Sequence, residues 1–278
     1  MSYPFLKGHG TENDFVLLPD HDGAVHGDLD EAAYAARVRA LCDRRAGIGG
    51  DGVLRVVRST RPEDGAWFMD YRNADGSLSE MCGNGVRVFA LHLVREGLVD
   101  ADAPIAVGTR DGVKTVTLAD DGAVTVDMGV PRLLGSTSVA LEGRRWSAVH
   151  VDIGNPHAVA FLDDGEDLEG LSAPGQPLGE PDHDGDVYPH GVNVELVVRR
   201  GEHHVALRVH ERGSGETRSC GTGACAVAVA QARADGAPRG TTYRVDVPGG
   251  TLHVTWTEDD RVLMTGPAVL VAEGTTDL

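Results

Sequence analysis

The sequence predicts an α+β fold of two pseudo-symmetric domains, each a strand-rich sheet or barrel wrapped around a central apolar helix. Three observations carry this prediction. Strand-like alternation recurs along most of the chain, while helix signals are few. Two helical stretches, Gly83–Glu96 and Gly221–Ala234, are nearly all apolar, as helices enclosed by sheet must be. Both are entered through one local pattern, Cys82-Gly83-Asn84-Gly85 and Cys220-Gly221-Thr222-Gly223, 138 positions apart.

The elements follow in chain order. Asn13-Asp14-Phe15 opens an apolar, strand-like run. Asp30–Arg44 reads as a helix, because Tyr34, Val38, Leu41 and Cys42 fall on one face. Gly47–Gly52 reads as a turn into a strand from Val53. Trp67–Tyr71 alternates as a strand, and so does the surround of Lys114. Val124–Met128 is a further strand, and Met128-Gly129-Val130-Pro131 marks a domain boundary. Strands follow at Val149–Ile153, Val192–Val198, Val205–Val209, Arg244–Val247 and Leu252–Trp256. Asp163–Gly191, rich in Asp, Gly and Pro, reads as a long surface loop with one short helical stretch at Leu168–Ser172. Met264-Thr265-Gly266-Pro267 mirrors the first boundary, so the last strand should cross back to the first domain. The expected domains are 1–127 plus 267–278, and 128–266.

The repeat extends beyond the cysteines. Asn73 and Glu211 each lie nine positions before their Cys. Farther upstream the offset becomes 142, matching Asn13-Asp14-Phe15 to Asn155-Pro156-His157 and Asp51-Gly52-Val53-Leu54 to Asn193-Val194-Glu195-Leu196. The four-residue difference is assigned to a longer loop around Ser59–Gly65. Shared order over both halves implies a pseudo-two-fold axis. The active site is expected in the cleft between the domains, with Cys82 and Cys220 on opposite sides.

Composition narrows the function. The 43 acidic and 25 basic residues give a net charge of −18, which repels nucleic acid. No apolar run reaches the ~20 residues of a membrane span. The start MSYPFLKGHG lacks the pattern of a signal peptide, so a cytoplasmic location is expected. No cysteine pair is spaced C-x-x-C, and His203-His204 lacks companion ligands, so no metal is expected. His21, His26, His183 and His190 are assigned no role. Lys7 and Lys114, the only lysines, have no Schiff-base context, which weakens a pyridoxal phosphate reading. Walker and dinucleotide fingerprints are absent, since Gly47–Gly52 lacks the third glycine in place, and no cofactor is expected.

Cys42 and Cys225 read as packing residues. Cys82 and Cys220 do not. A helix N-terminus carries partial positive charge, which favours thiolate and binds anions. Two such thiols suggest two-base chemistry at a carbon acid. A thiolate removes a proton from one face, a thiol returns one to the other, and the stereocentre inverts. The roles exchange with the direction of reaction.

On these residues the chain resembles the diaminopimelate epimerase family over essentially its whole length. The motifs are His9–Phe15, Asn73–Ser77, Met81–Gly85, Gly154–His157, Glu211–Thr217 and Ser219–Cys225. The resemblance implies interconversion of LL- and meso-diaminopimelate, for lysine and peptidoglycan synthesis, by a homodimer acting on a small-molecule substrate. It implies Cys82 and Cys220 as the acid/base pair, with the N–H groups of Gly83-Asn84 and Gly221-Thr222 holding the carboxylate at the reacting carbon. Asn13, Asn73, Asn155, Asn193, Glu211 and Arg212 would bind the polar ends of the substrate. His157 and Glu211 would tune the thiols or orient the amine. Taken singly, each of these residues has a plainer reading: a turn asparagine, a half-buried histidine, a solvated ion pair.

Two departures stand out. Glu12 occupies a position that is glycine in the family, and Gly52 replaces a substrate-contacting Gln of some members. The competing readings are a proline- or hydroxyproline-type racemase of the same fold, a non-catalytic anion-binding module, and a redox sensor joining Cys82 to Cys220. Asn84 and Glu211-Arg212-Gly213 favour diaminopimelate over the cyclic substrates.

Overall fold

The computed structural model describes residues 2–61 and 65–278. The chain forms two compact units, Met1–Val126 with Gly266–Leu278, and Asp127–Thr265.

The first unit holds β1 (Tyr3–Gly10), β2 (Asn13–Pro19), α1 (Glu31–Cys42), β3 (Gly52–Arg58), β4 (Trp67–Asn73), α2 (Gly83–Arg95), β5 (Ile105–Thr109) and β6 (Gly112–Leu118). β7 (Val124–Asp127) ends it. The second unit holds β8 (Arg132–Leu141), β9 (Arg144–Asp152), β10 (Pro156–Phe161), β11 (Asp182–His183), β12 (Asn193–Gly201), β13 (His204–Glu211) and β14 (Gly215–Thr217). α3 (Gly221–Asp235), β15 (Thr242–Val247), β16 (Gly250–Trp256) and β17 (Val262–Gly266) complete it, and β18 (Val269–Thr276) returns to the first unit.

The pairings make the repeat explicit. In the first unit β1–β2 is antiparallel, β2–β3 parallel, β3–β4 antiparallel, β4–β5 parallel, and β5–β6 and β6–β7 antiparallel. In the second, β9–β10, β10–β12, β12–β13, β13–β15, β15–β16 and β16–β17 follow the same alternation. β18 lies antiparallel beside β1 as β8 lies beside β9.

The strands of each unit pack around one helix. α2 packs on β1, β2, β3, β5, β6 and β18; α3 packs on β9, β10, β12, β13, β15 and β16. The apolar sequence of α3 has this cause, since every residue from Gly221 to Ala232 is buried. α1 is different. It buries only Tyr34, Val38, Leu41 and Cys42, and Asp30 caps it by accepting from the Ala33 N–H at 2.8 Å. The Gly47–Gly52 run does more than turn the chain, because the Ile48 and Gly49 N–H groups close the end of α1 on the Leu41 carbonyl.

Two expectations are corrected. Asp163–Gly191 is not simply a surface loop. The short helical stretch expected there is present as a 3₁₀ turn at Leu168–Leu171, but the segment also adds the strand β11 and buries Leu168, Leu171, Leu178 and Tyr188 in the core of the second unit. Four apolar residues spread among Asp, Gly and Pro give no periodicity to read. The repeat also slips by one position in β3. Phe15 faces Gly52 as His157 faces Asn193, so the partner of Asn193 is Gly52 and not Asp51. The chemical likeness of Asp51 and Asn193 had pointed one residue away. The extra length between β3 and β4 is therefore three residues, and positions 62–64 of that loop lie outside the described residues.

Candidate active site

Cys82 and Cys220 are the N-cap residues of α2 and α3, with extended backbones (φ −141° and −116°). The first amides to bond back along the helices are Val86, to the Cys82 carbonyl, and Ala224, to the Cys220 carbonyl. The N–H groups of Gly83-Asn84 and Gly221-Thr222 thus lie ahead of the ladder, as an anion site needs.

In the first unit Cys82 is partly exposed. Its thiol donates to Asn13 Oδ1 at 3.5 Å, and Asn84 Nδ2 donates to the same oxygen at 3.1 Å. Asp51 Oδ2 holds the other end of that amide, accepting from Asn13 Nδ2 at 2.7 Å. Arg44 bridges Asp51 and Asp14 at 2.7 and 2.6 Å. Arg44 and Lys7 hold the Asp14 carboxyl far below its usual range despite partial burial. Asn73 Nδ2 donates to Ser77 Oγ at 3.0 Å.

Thr11 and Glu12 form the two-residue turn between β1 and β2, both with positive φ (49° and 61°). Two positive φ values define the hairpin turn that matches strand twist. Buried Arg87 donates to Thr11 Oγ1 at 3.3 Å and to the Pro267 carbonyl at 3.2 Å. Glu12 is exposed and leaves the turn intact. Gly52 admits no side chain, because a Cβ there would lie 2.5 Å from the Arg72 carbonyl and 2.7 Å from Tyr71 Cε2. The Gln expected from the family resemblance has no counterpart at this position.

In the second unit two acids, Glu211 and Glu195, stand near the cysteine. Cys220 is buried. Its sulfur accepts from the Gly223 N–H at 3.4 Å and lies 3.4 Å from Thr222 Oγ1. Burial first, then the charges of Glu211 and Glu195, push this thiol well above its ordinary value, so it rests protonated. Glu211 takes hydrogen bonds from Thr217 Oγ1 and from the Cys220 thiol, yet burial still raises its pKa. Asn193 Oδ1 accepts from the Arg212 backbone N–H at 3.0 Å, and its Nδ2 donates to the Pro156 carbonyl at 3.2 Å. Arg212 leaves its guanidinium exposed, with Nη1 3.4 Å from the His190 carbonyl.

His157 is buried, and both its nitrogens are engaged. Nδ1 lies 2.7 Å from Glu195 Oε1, and Nε2 lies 2.9 Å from Asn155 Oδ1. These contacts direct His157 to Asn155. Glu195 is wholly buried against α3, where a Cβ on Gly223 would meet its Oε1 at 2.7 Å. In the first unit Leu54 takes that place, 3.2 Å from a Cβ on Gly85.

Sequence reasoning assigned no role to Asp51, Arg44 or Glu195. A lone acid inside the apolar run Val192–Val198 was the available signal for Glu195. Among the described residues no group of His, Cys, Asp or Glu is arranged to hold a metal ion, and no helix is long and apolar enough to cross a membrane.

A family model described as diaminopimelate epimerase matches residues 5–134 and 149–271. The diaminopimelate epimerase of Streptomyces coelicolor is 58% identical over 286 residues, covering 98% of this chain and 95% of that protein. That of Rhodococcus jostii is 49% identical, covering 98% and 96%. Among solved structures, a hydroxyproline epimerase from Agrobacterium vitis has a TM-score of 0.72 at 14% identity, covering 99% of this chain and 92% of that one. A phenazine biosynthesis protein of the PhzF family from Bacillus anthracis has a TM-score of 0.71 at 14% identity, covering all of both chains. At such identities the structural matches establish the shared fold.

Proposed function

The chain belongs to the diaminopimelate epimerase family, and from that premise we propose that it interconverts LL- and meso-2,6-diaminopimelate, using Cys82 and Cys220 as the two acid/base groups. The observation that carries this reading is the placement of each thiol at the N-cap of a buried helix. In one direction a thiolate takes the α-proton on its sulfur. The electron pair left on the α-carbon delocalises into the α-carboxylate. The N–H groups of Gly83, Asn84, Gly221 and Thr222 hold that carboxylate as its charge grows. The other cysteine delivers its S–H proton to the opposite face of the carbon and becomes the thiolate. The reverse reaction exchanges the roles.

Cys220, held protonated by burial, is the resting donor; the partly exposed Cys82 thiol first gives its proton to solvent to become the base, and Glu211 receives the Cys220 proton when Cys220 serves as base. Asn73, Asn155, Asn193 and the exposed Arg212 fork engage the charged ends of the substrate, with the fork suited to a carboxylate. Asn13 orients the Cys82 thiol. A cytoplasmic homodimer is part of this reading, and light scattering on purified protein checks the dimer.

The test is proton NMR in D₂O with LL-diaminopimelate and reduced protein. Deuterium at the α position together with meso product, lost in Cys82→Ala, is the expected result. Exchange only with proline or hydroxyproline would transfer the mechanism to a cyclic substrate. Silence with all three substrates, from folded and reduced protein, would overturn the catalytic reading.

A further inference from the structure

Glu195, His157 and Asn155 form a line of side chains running outward from the wall of α3. The Asn155 amide lies with Oδ1 2.9 Å from His157 Nε2, an arrangement that calls for a hydrogen on that nitrogen, and the charge of the buried pair behind it requires one there. One proton must then lie between Nδ1 and Glu195 Oε1, 2.7 Å apart. Whether it rides on nitrogen or oxygen, the pair is net neutral. The alternative, a neutral histidine with a bare Nε2 beside charged Glu195, leaves a net charge in a wholly buried place. Glu195 Oε2 has no hydrogen-bond partner there among the described residues. Such a buried charge is costly. With Nε2 protonated, turning the Asn155 amide over would set two donors face to face. The amide is therefore locked, and the NH₂ group of half-buried Asn155 makes no other hydrogen bond among the described residues.

We propose that Glu195, acting through His157, fixes the polarity of Asn155, so that Asn155 meets the substrate as a hydrogen-bond donor to a carboxylate and not as an acceptor for an ammonium group. The assignment rests on the diaminopimelate reading and adds to it which end of an ambivalent amide faces the ligand. The first unit locks its counterpart the other way. There Asp51 takes the Asn13 NH₂ group, and the oxygen is the presented atom. Glu195 is a positioning residue: it touches no ligand and sets the direction of a side chain that does.

The test compares Asn155→Asp with Asn155→Ala. If the NH₂ group serves a carboxylate, aspartate removes the donor and adds a like charge. Its KM for meso-diaminopimelate should then exceed that of the alanine variant by at least tenfold. An aspartate variant binding as well as alanine, or better, would overturn the donor assignment. The difference should fall below threefold in a His157→Phe/Glu195→Leu background, which carries the residues of the first unit at these places. An undiminished difference would show that His157 and Glu195 do not set the polarity. For Glu195 alone, Glu195→Gln also donates to Nδ1 and should recover most of the KM lost in Glu195→Ala, with kcat changing less. A KM that falls equally short in both variants would refute the relay. Nitrogen-15 NMR of labelled histidine reads the same lock without substrate, because His157 Nε2 must appear protonated. An unprotonated Nε2 would sink the proposal even if no epimerase activity were found, while inactive wild-type protein with a protonated Nε2 would count against the diaminopimelate reading alone.

Discussion

At one place behind the first cysteine helix the first unit is apolar; behind the second helix the matching place is ionisable. Phe15, Leu54 and Gly85 in one become His157, Glu195 and Gly223 in the other, on strands paired in the same order. A buried ion pair rarely stabilises a fold better than well-packed apolar residues. The first unit demonstrates that this frame closes without one. The pair in the second unit is thus explained by what it does to its neighbours, not by what it does for the fold. The two turn asparagines follow suit, one presenting oxygen and the other nitrogen.

The comparison can be broken most severely at the thiols. If the halves contribute equally to chemistry, Cys82→Ala and Cys220→Ala should each lower kcat by on the order of 10³-fold or more, measured by deuterium wash-in. Substantial turnover in one variant alone would make the halves chemically unequal. Next comes the buried pair. His157→Ala leaves Glu195 uncompensated and should cost about 3–5 kcal/mol in denaturant unfolding. His157→Phe/Glu195→Leu, which copies the first unit, should be near neutral or stabilising while KM rises. Equal destabilisation in both would show that the frames are not interchangeable.

Acid sharpens the contrast. His26 and His92, both in the first unit, are buried and pushed down to about 4. Neither ring nitrogen of His92 has a hydrogen-bond partner among the described residues. Because the unfolded chain binds these protons at higher pH, their stabilisation is present above pH ~6.5 and is lost as pH falls toward 4, by up to about 3 kcal/mol for each. Tm measured from pH 7.5 to 4 should fall, and His92→Leu should flatten the fall; an unchanged slope would remove His92 from the account. The smallest effect is expected at the β1–β2 turn. Gly154 of the second unit, with φ 91°, stands where the first unit has Glu12, with φ 61°. Glu12→Gly should stabilise by about 1 kcal/mol in chemical denaturation, since glycine occupies positive φ without the Cβ penalty. A loss of stability would mean that the Glu12 side chain contributes more than its backbone costs.

Much of this was legible in the sequence because it is written in local patterns. Asp30 announces α1, the Cys-Gly-x-Gly entries announce α2 and α3, and alternation announces most strands. What stayed hidden depends on long-range pairing. Glu195 sits in a valine-rich strand, and only the parallel partner β10 reveals that it meets His157. Asp51 resembled Asn193 in chemistry, whereas strand register gives that place to Gly52. The amide orientations of Asn13 and Asn155 depend on contacts 38 and two positions away, and no single-residue preference encodes them.

The pairing of β1 with β18 has a mechanical consequence. Tyr3 lies opposite Thr276, so both ends of the chain leave from the same end of one antiparallel pair. Tension applied between the termini would load those hydrogen bonds one at a time, as a zipper, and not all together in shear. The 127–265 segment lies between these strands in sequence and would carry no load until the zipper had opened. A tether through both ends should therefore open the first unit at low force, while the second unit is still folded.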